Sequence, residues 1–219
     1  MKADVAAAQQ LFLNNPRYAP LKLHELQVNE FGAAVDQFKP AVLLANLATF
    51  EQTGITTVAR TCWKESTGIL NCSNDSLDGL LTEGTRRPRA VWWAAQAYSS
   101  LGTARAATAT SDGSVTALAG TTANAGAIPL LVSYFTLHPT ADNARITLTL
   151  KNLSQVPTLA GATSIHIVAK QIPDAEEFGV PQLQTMLTTD IPVAGDSATV
   201  ELGQVQMNEV FKVALSRTP

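Results

Sequence analysis

The chain has 219 residues, of which 46% are hydrophobic and 15% charged, with a formal net charge of −3. That apolar fraction can fill a core and excludes wholesale disorder, which needs low hydrophobicity and high net charge; the length admits one large domain or two small ones. With 15 Lys and Arg against 18 Asp and Glu there is no basic footprint for nucleic acid, the Arg86-Arg87-Pro88-Arg89 cluster is too short to supply one, and no apolar run reaches the roughly 18–20 residues that span a bilayer.

In chain order, Ala3 to Asn14 is rich in Ala, Gln and Leu, good helix formers, and stops at Asn14-Asn15-Pro16. Its start lacks a charged n-region leading into a clean apolar h-region, so it does not read as a signal peptide. Leu23 to Gly32 alternates as a strand and closes on glycine. Pro40 suits the first turn of a second helix, in which Leu43, Leu47 and Phe50 follow helical spacing and Gly54 offers a C-terminal cap. Ile55 to Trp63, rich in Thr and Val, reads as a second strand. Ser66 to Pro88 is a long polar loop, and Ala90 to Leu101 a third helix capped by Gly102. The order helix, strand, helix, strand, helix predicts a parallel pairing.

Past Thr103 the texture changes. Short β-branched runs punctuated by Gly, Asn, Asp and Pro predict strands at Arg105–Thr110, Ser114–Thr121, Ile128–Thr136, Ala144–Leu150, Ser164–Gln171, Gln184–Thr188, Ala198–Leu202 and Glu209–Leu215. Asp112-Gly113 is a tight-turn signal. Such a series predicts an antiparallel sandwich, with a domain boundary between residues 1–102 and 103–219.

Glu30 ends the first strand, and α/β folds place ligands beyond the carboxyl ends of their strands. A carboxylate there can act as nucleophile or general base, or simply be a solvated edge. Trp63 closes the next strand, where an aromatic stacks on a sugar or plugs a core. Glu25 and Glu65 read as solvated charges, Glu176-Glu177 as a surface face, and Trp92-Trp93 as core and boundary of the third helix. Cys62 and Cys72 admit either one disulfide or two reduced thiols in a loop. With His24, His138 and His166 scattered, no metal site is expected. Asn124-Ala125-Gly126 lacks phosphate-loop spacing, and no nucleophile elbow occurs, so no cofactor is expected. The tripeptides beginning at Asn71, Asn74 and Asn152 match the glycosylation pattern, which also arises by chance.

Taken together, a strand ending Val28-Asn29-Glu30-Phe31-Gly32, a Pro-started helix and a strand ending in Trp63 resemble the last quarter of a clan A glycoside hydrolase barrel. Asp75-Ser76-Leu77-Asp78-Gly79-Leu80-Leu81, then Arg87 to Ala94 and Tyr98, are similar to the eighth loop and closing helix of such enzymes. The β-rich remainder resembles the sandwich of family 39 members. The resemblance implies a partial (β/α) TIM-barrel unit followed by an antiparallel β-sandwich. It implies Glu30 as the catalytic nucleophile of a retaining glycosidase, with Asn29 and Trp63 binding a carbohydrate substrate. The family's acid/base glutamate ends the fourth strand, a part of the barrel not contained in these residues. The chain is therefore expected to be a C-terminal piece with little turnover alone, completed by a homo-oligomer or by a missing N-terminal barrel half. Two rivals are a non-catalytic carbohydrate-binding or assembly module and another hydrolase using Glu30 with Glu65. An exposed aromatic row on the sandwich, from Tyr134, Phe135, Phe178 and Phe211, would favour the binding module. Bare apolar faces at Leu26, Val28 and Val58 would favour association; the alternative is a sandwich folded back over them.

Overall fold

In the computed structural model, helix α1 spans Lys2–Ala8 and widens into a π-helical segment at Gln9–Leu13, so the first helix stops where the Asn-Asn-Pro signal predicts. The structure describes residues 2–23, 25–123, 126–137 and 141–218; His24, His138 and Asn124-Ala125 lie outside them. Strand β1 is Val28–Phe31, helix α2 Pro40–Thr53, strand β2 Val58–Arg60 and helix α3 Ala90–Ser99. Helix α2 begins on its proline and ends at Gly54, which takes φ 70° as a left-handed cap. β1 and β2 pair in parallel, and among the described residues neither has another strand beside it. Both strands are shorter than their sequence patterns. Without flanking ladders, alternation alone does not hold extended backbone in a sheet.

Eight further strands follow: β3 Arg105–Ala106, β4 Val115–Gly120, β5 Ile128–Tyr134, β6 Asn143–Lys151, β7 Ser164–Ile172, β8 Gln184–Pro192, β9 Ser197–Gln206 and β10 Val210–Arg217. Six form one antiparallel sheet in the order β3-β4-β5-β10-β7-β8, and β6 and β9 make a separate antiparallel pair. Each lies on a predicted strand. The two layers enclose a core built from Leu130 and Val132 of β5, Ile165 and Ile167 of β7, Val205 of β9 and Phe211 of β10. Successive residues on a strand face opposite sides, so Leu118, Leu131 and Val210 point the other way. There they join Leu44, Ala48, Ala94 and Leu101 in a second core.

That second core explains why all seven residues of β5 are buried: one face meets the β6–β9 pair and the other meets α2 and α3. It also changes the expectation of bare faces. Leu26, Val28 and Val58 are half-buried against the second core, which α2 and α3 share with the six-stranded sheet. The halves are further joined by Arg89 bridging Gly179, by the Val180 amide donating to the Pro88 carbonyl at 2.6 Å, and by Trp93 Nε1 donating to the Val180 carbonyl at 2.7 Å. Glu51 of α2 binds Arg105 of β3 at 2.7 Å and accepts from the Tyr98 hydroxyl at 2.6 Å. No helix among the described residues is long and apolar enough to cross a membrane.

Candidate functional site

Val28 and Phe31 are both apolar and three apart, a spacing that strict alternation cannot bury. The backbone resolves it with an irregularity in the β1–β2 register between those residues. Glu30 takes φ 69°, and Phe31 turns inward, edge-on to Phe50 with centroids 5.1 Å apart. Asn29 and Glu30 are both left exposed. A left-handed L-residue costs roughly 1–2 kcal/mol, and strain of this kind concentrates at functional positions. Among the described residues none hydrogen-bonds or ion-pairs with the Glu30 carboxylate.

Trp63 lies three residues beyond the end of β2. Its indole Nε1 donates to the Gly32 carbonyl at 3.0 Å, which draws the half-buried ring to the turn that follows Glu30. Its amide donates to Asn71 Oδ1 at 3.2 Å, and its carbonyl accepts from the Asn71 amide at 2.9 Å. The parallel pair thus brings Glu30 and Trp63 to one end.

Behind them sits a buried polar cluster that the sequence pattern missed. Glu65, expected as a solvated charge, is instead paired with Arg89; each side chain is 3% exposed. The pair is bidentate, with Arg89 Nη2 donating to Oε2 at 2.5 Å and Nη1 to Oε1 at 3.1 Å. Arg89 also donates from Nε to the Glu177 carbonyl at 2.8 Å, and its guanidinium lies 4.4 Å from the Phe38 ring centre. Burial works to raise the Glu65 pKa, but hydrogen bonds and charge from Arg89 outweigh it and hold the carboxyl below its ordinary 4.5. Glu65 is therefore an anchor, held ionised, and cannot serve Glu30 as a proton donor. Arg60 donates to the Gln37 and Asp78 carbonyls. Burial first, with repulsion from Arg89, lowers its pKa to about 10 against the attraction of Asp78. Asn71 donates to Gln37 Oε1 at 2.9 Å, and the buried Ser76 hydroxyl donates to the Asn71 carbonyl at 3.0 Å. Asn71 is 1% exposed, so its tripeptide is closed to glycosylation in the folded chain.

The remaining candidates lie apart from this cluster or support it. Glu25 is exposed and accepts from Gln27 at 2.7 Å. Glu177 accepts from the Ser66 amide at 3.4 Å and lines a depression of about 270 Å³ with Val35, Phe38, Lys39 and Asp174. Larger hollows of about 460 and 540 Å³ flank α2 on the sandwich side; their charged residues, Glu51 and Arg105, are bound to each other. Trp92 and Trp93 are both half-buried and meet edge-on at 4.8 Å. Of the aromatics that would form a row on the sandwich, Tyr134 and Phe211 are buried and Phe135 half-buried, leaving Phe178 alone exposed. No group of three metal-ligating side chains occurs among the described residues.

No protein-family model and no curated protein matches the chain, but solved structures do. The protein N2152 from Neocallimastix frontalis superposes with a TM-score of 0.73 at 13% identity, over 99% of this chain and 50% of its own. A GH39 enzyme from Xanthomonas axonopodis pv. citri matches at 0.60 and 9% identity, over 99% and 48%. A glucosidase from Croceicoccus marinus matches at 0.60 and 13%, over 92% and 49%. The chain thus spans about half the length of these structures. At such identities the likeness is one of fold, and that fold is glycoside-hydrolase-like.

Proposed function

We propose that the chain derives from a glycoside hydrolase and carries the nucleophile half of a retaining site. Residues 1–102 are then a partial (β/α) barrel unit, and residues 103–219 its appended sandwich. The observation that carries this reading is the bond from Trp63 to the Gly32 carbonyl, which ties the indole to the turn two residues beyond Glu30 at one end of a parallel strand pair. The fold shared with a GH39 enzyme and a glucosidase supports it. In this mechanism the Glu30 carboxylate attacks the anomeric carbon and the glycosidic bond breaks. A second carboxyl group roughly 5–5.5 Å away protonates the leaving oxygen, then deprotonates the water that frees the sugar. Asn29 donates to a sugar hydroxyl, and Trp63 presents ring surface to the apolar face of the sugar. Glu65, locked to Arg89, is not that second group, which comes in this reading from a barrel strand that residues 1–102 do not include. The outer edges of β1 and β2 are where further strands join, from a barrel half or a second copy of the chain.

The test is covalent trapping with dinitrophenyl 2-deoxy-2-fluoro glycosides, whose leaving group departs without protonation. A glycosyl adduct is expected on the peptide containing Glu30 and is absent from Glu30→Gln, while natural disaccharides are turned over little or not at all. Efficient disaccharide hydrolysis that survives Glu30→Gln sinks the proposal. Light scattering tests completion by a second copy: a mass of 23.2 kDa at micromolar concentration excludes it.

A further inference from the structure

The two cysteines lie on a hairpin whose register can be read from its hydrogen bonds. Lys64 and Leu70 oppose each other in an antiparallel bridge. The Glu65 amide donates to the Ile69 carbonyl at 3.0 Å, and the Asn71 amide to the Trp63 carbonyl at 2.9 Å. The bonds 65–69 and 71–63 flank that single bridge, and Cys62 and Cys72 lie on its two arms one residue further out. Trp63 and Asn71 share one backbone bond, the Trp63 amide donating instead to Asn71 Oδ1, so regular pairing ends there with Cys62 and Cys72 as the residues immediately beyond it. Disulfides need Cα atoms roughly 4.4–6.8 Å apart, a separation within reach of two residues that leave a closed antiparallel bridge side by side. The sulfurs are already neighbours: Cys72, ahead of burial, raises the Cys62 pKa to about 11.

We infer that Cys62 and Cys72 are an oxidation site that closes into an intramolecular disulfide, clasping the turn that holds Trp63. Both are thiols in this structure, Cys72 the more exposed. The co-reactant is a small disulfide such as oxidised glutathione. The Cys72 thiolate attacks one of its sulfurs, that S–S bond breaks, and one glutathione thiolate leaves. The departing glutathione thiolate takes the Cys62 proton, which in the reduced chain is shared with Asp78 Oδ1 at 3.8 Å. The Cys62 thiolate then attacks the Cys72 sulfur and expels the second glutathione. Two protein thiols lose two electrons and two protons, and the oxidant gains both. The bond stands independently of the glycosidase reading.

The test equilibrates the full chain over a series of oxidised and reduced glutathione ratios, quenches in acid, alkylates and weighs the products. The oxidised chain is expected to be two hydrogens lighter, with neither cysteine alkylated and one peptide pair linked through Cys62 and Cys72. Its thermal midpoint is expected to exceed that of the reduced chain by roughly 4–12 °C. That gap closes in the Cys62→Ser/Cys72→Ser double variant, and either single variant ends as a glutathione adduct. Two thiols that remain alkylatable at every ratio, a bond that joins two chains, or equal midpoints for the two forms overturns the inference.

Discussion

Residues 103–219 run as eight strands whose side chains alternate between two cores. Between Arg60 and Ala90, by contrast, the backbone pairs only at isolated bridges, Lys64 with Leu70, Leu81 with Pro88 and Arg89 with Gly179. The sandwich is held by regular ladders and by repeated, non-directional burial between its layers. The loop region is held by named bonds: Trp63 to Gly32, Asn71 to Trp63 and Gln37, and Arg89 to Glu65, Gly79 and Glu177. Repetition gives a scaffold that tolerates change. Directed bonds give a region that can fix an aromatic ring to the turn after Glu30, at the risk that losing one donor strands several acceptors.

The largest effects separate these two kinds of cohesion by their response to acid. Phe211→Ala empties the centre of the sandwich and should cost about 3–5 kcal/mol in urea unfolding. Arg89→Ala should cost a similar ~3–5 kcal/mol, because it leaves Glu65 buried without its counter-charge. In the parent chain the Glu65 pKa is lowered by folding, so its contribution is present above the ordinary value of 4.5 and lost as pH falls through the folded value. In Arg89→Ala the hydrogen bond and charge of Arg89 are gone and only the Asn74 and Ser76 hydrogen bonds oppose burial, so protonating Glu65 costs the variant less than the parent. The deficit of Arg89→Ala should therefore shrink from pH 7 to pH 4, while that of Phe211→Ala stays constant. Equal pH profiles for the two variants would show that the pair contributes packing rather than charge.

What the sequence revealed follows the same division. Every strand of the sandwich could be read, because alternation is a local signal repeated along each segment, and α2 was bounded to the residue by Pro40 and Gly54. Glu65 could not be read, since its partner is 24 residues away and nothing in Lys64-Glu65-Ser66 marks the burial of that carboxylate. The register shift at Glu30 was not legible, since Leu23 to Gly32 alternates as a strand and only the backbone shows a break between Val28 and Phe31 with Glu30 at φ 69°. The position of Trp63 next to that turn depends on a bond to Gly32, 31 residues away. Long-range directed bonds leave no period in a sequence, and the candidate site is made of them.

A smaller effect tests whether the loop region is as tightly fitted as its bonds suggest. Gly79 has φ 79°, and a Cβ placed there falls 2.7 Å from Asn71 Nδ2 and 3.1 Å from the Phe38 ring. Gly79→Ala combines left-handed strain with overpacking and should cost ~2–4 kcal/mol. It should also loosen Trp63, because Asn71 is displaced; a red shift and increased quenching of tryptophan fluorescence in the native state would report this. An unchanged midpoint would mean that Asn71 moves aside freely and that the bonded network is soft.

The smallest expected effect concerns Glu30 itself and runs in the opposite direction. At φ 69° glutamate sits where glycine is at ease, and the strain of roughly 1–2 kcal/mol exceeds the roughly 0.5–1 kcal/mol that glycine loses through its freer unfolded chain. Since Glu30 is exposed and no described residue bonds to its carboxylate, removing the side chain forfeits no contact. Glu30→Gly should accordingly raise stability by about 0.5–1 kcal/mol, seen as a higher urea midpoint at unchanged slope, while Glu30→Gln, with the same backbone preference, leaves it unmoved. A gain on replacing this one residue marks a position kept against the interest of the fold, as a carboxylate held for chemistry would be. If Glu30→Gly is neutral or destabilising, the left-handed turn carries no strain, and the backbone gives Glu30 no distinction from any other exposed glutamate on the surface.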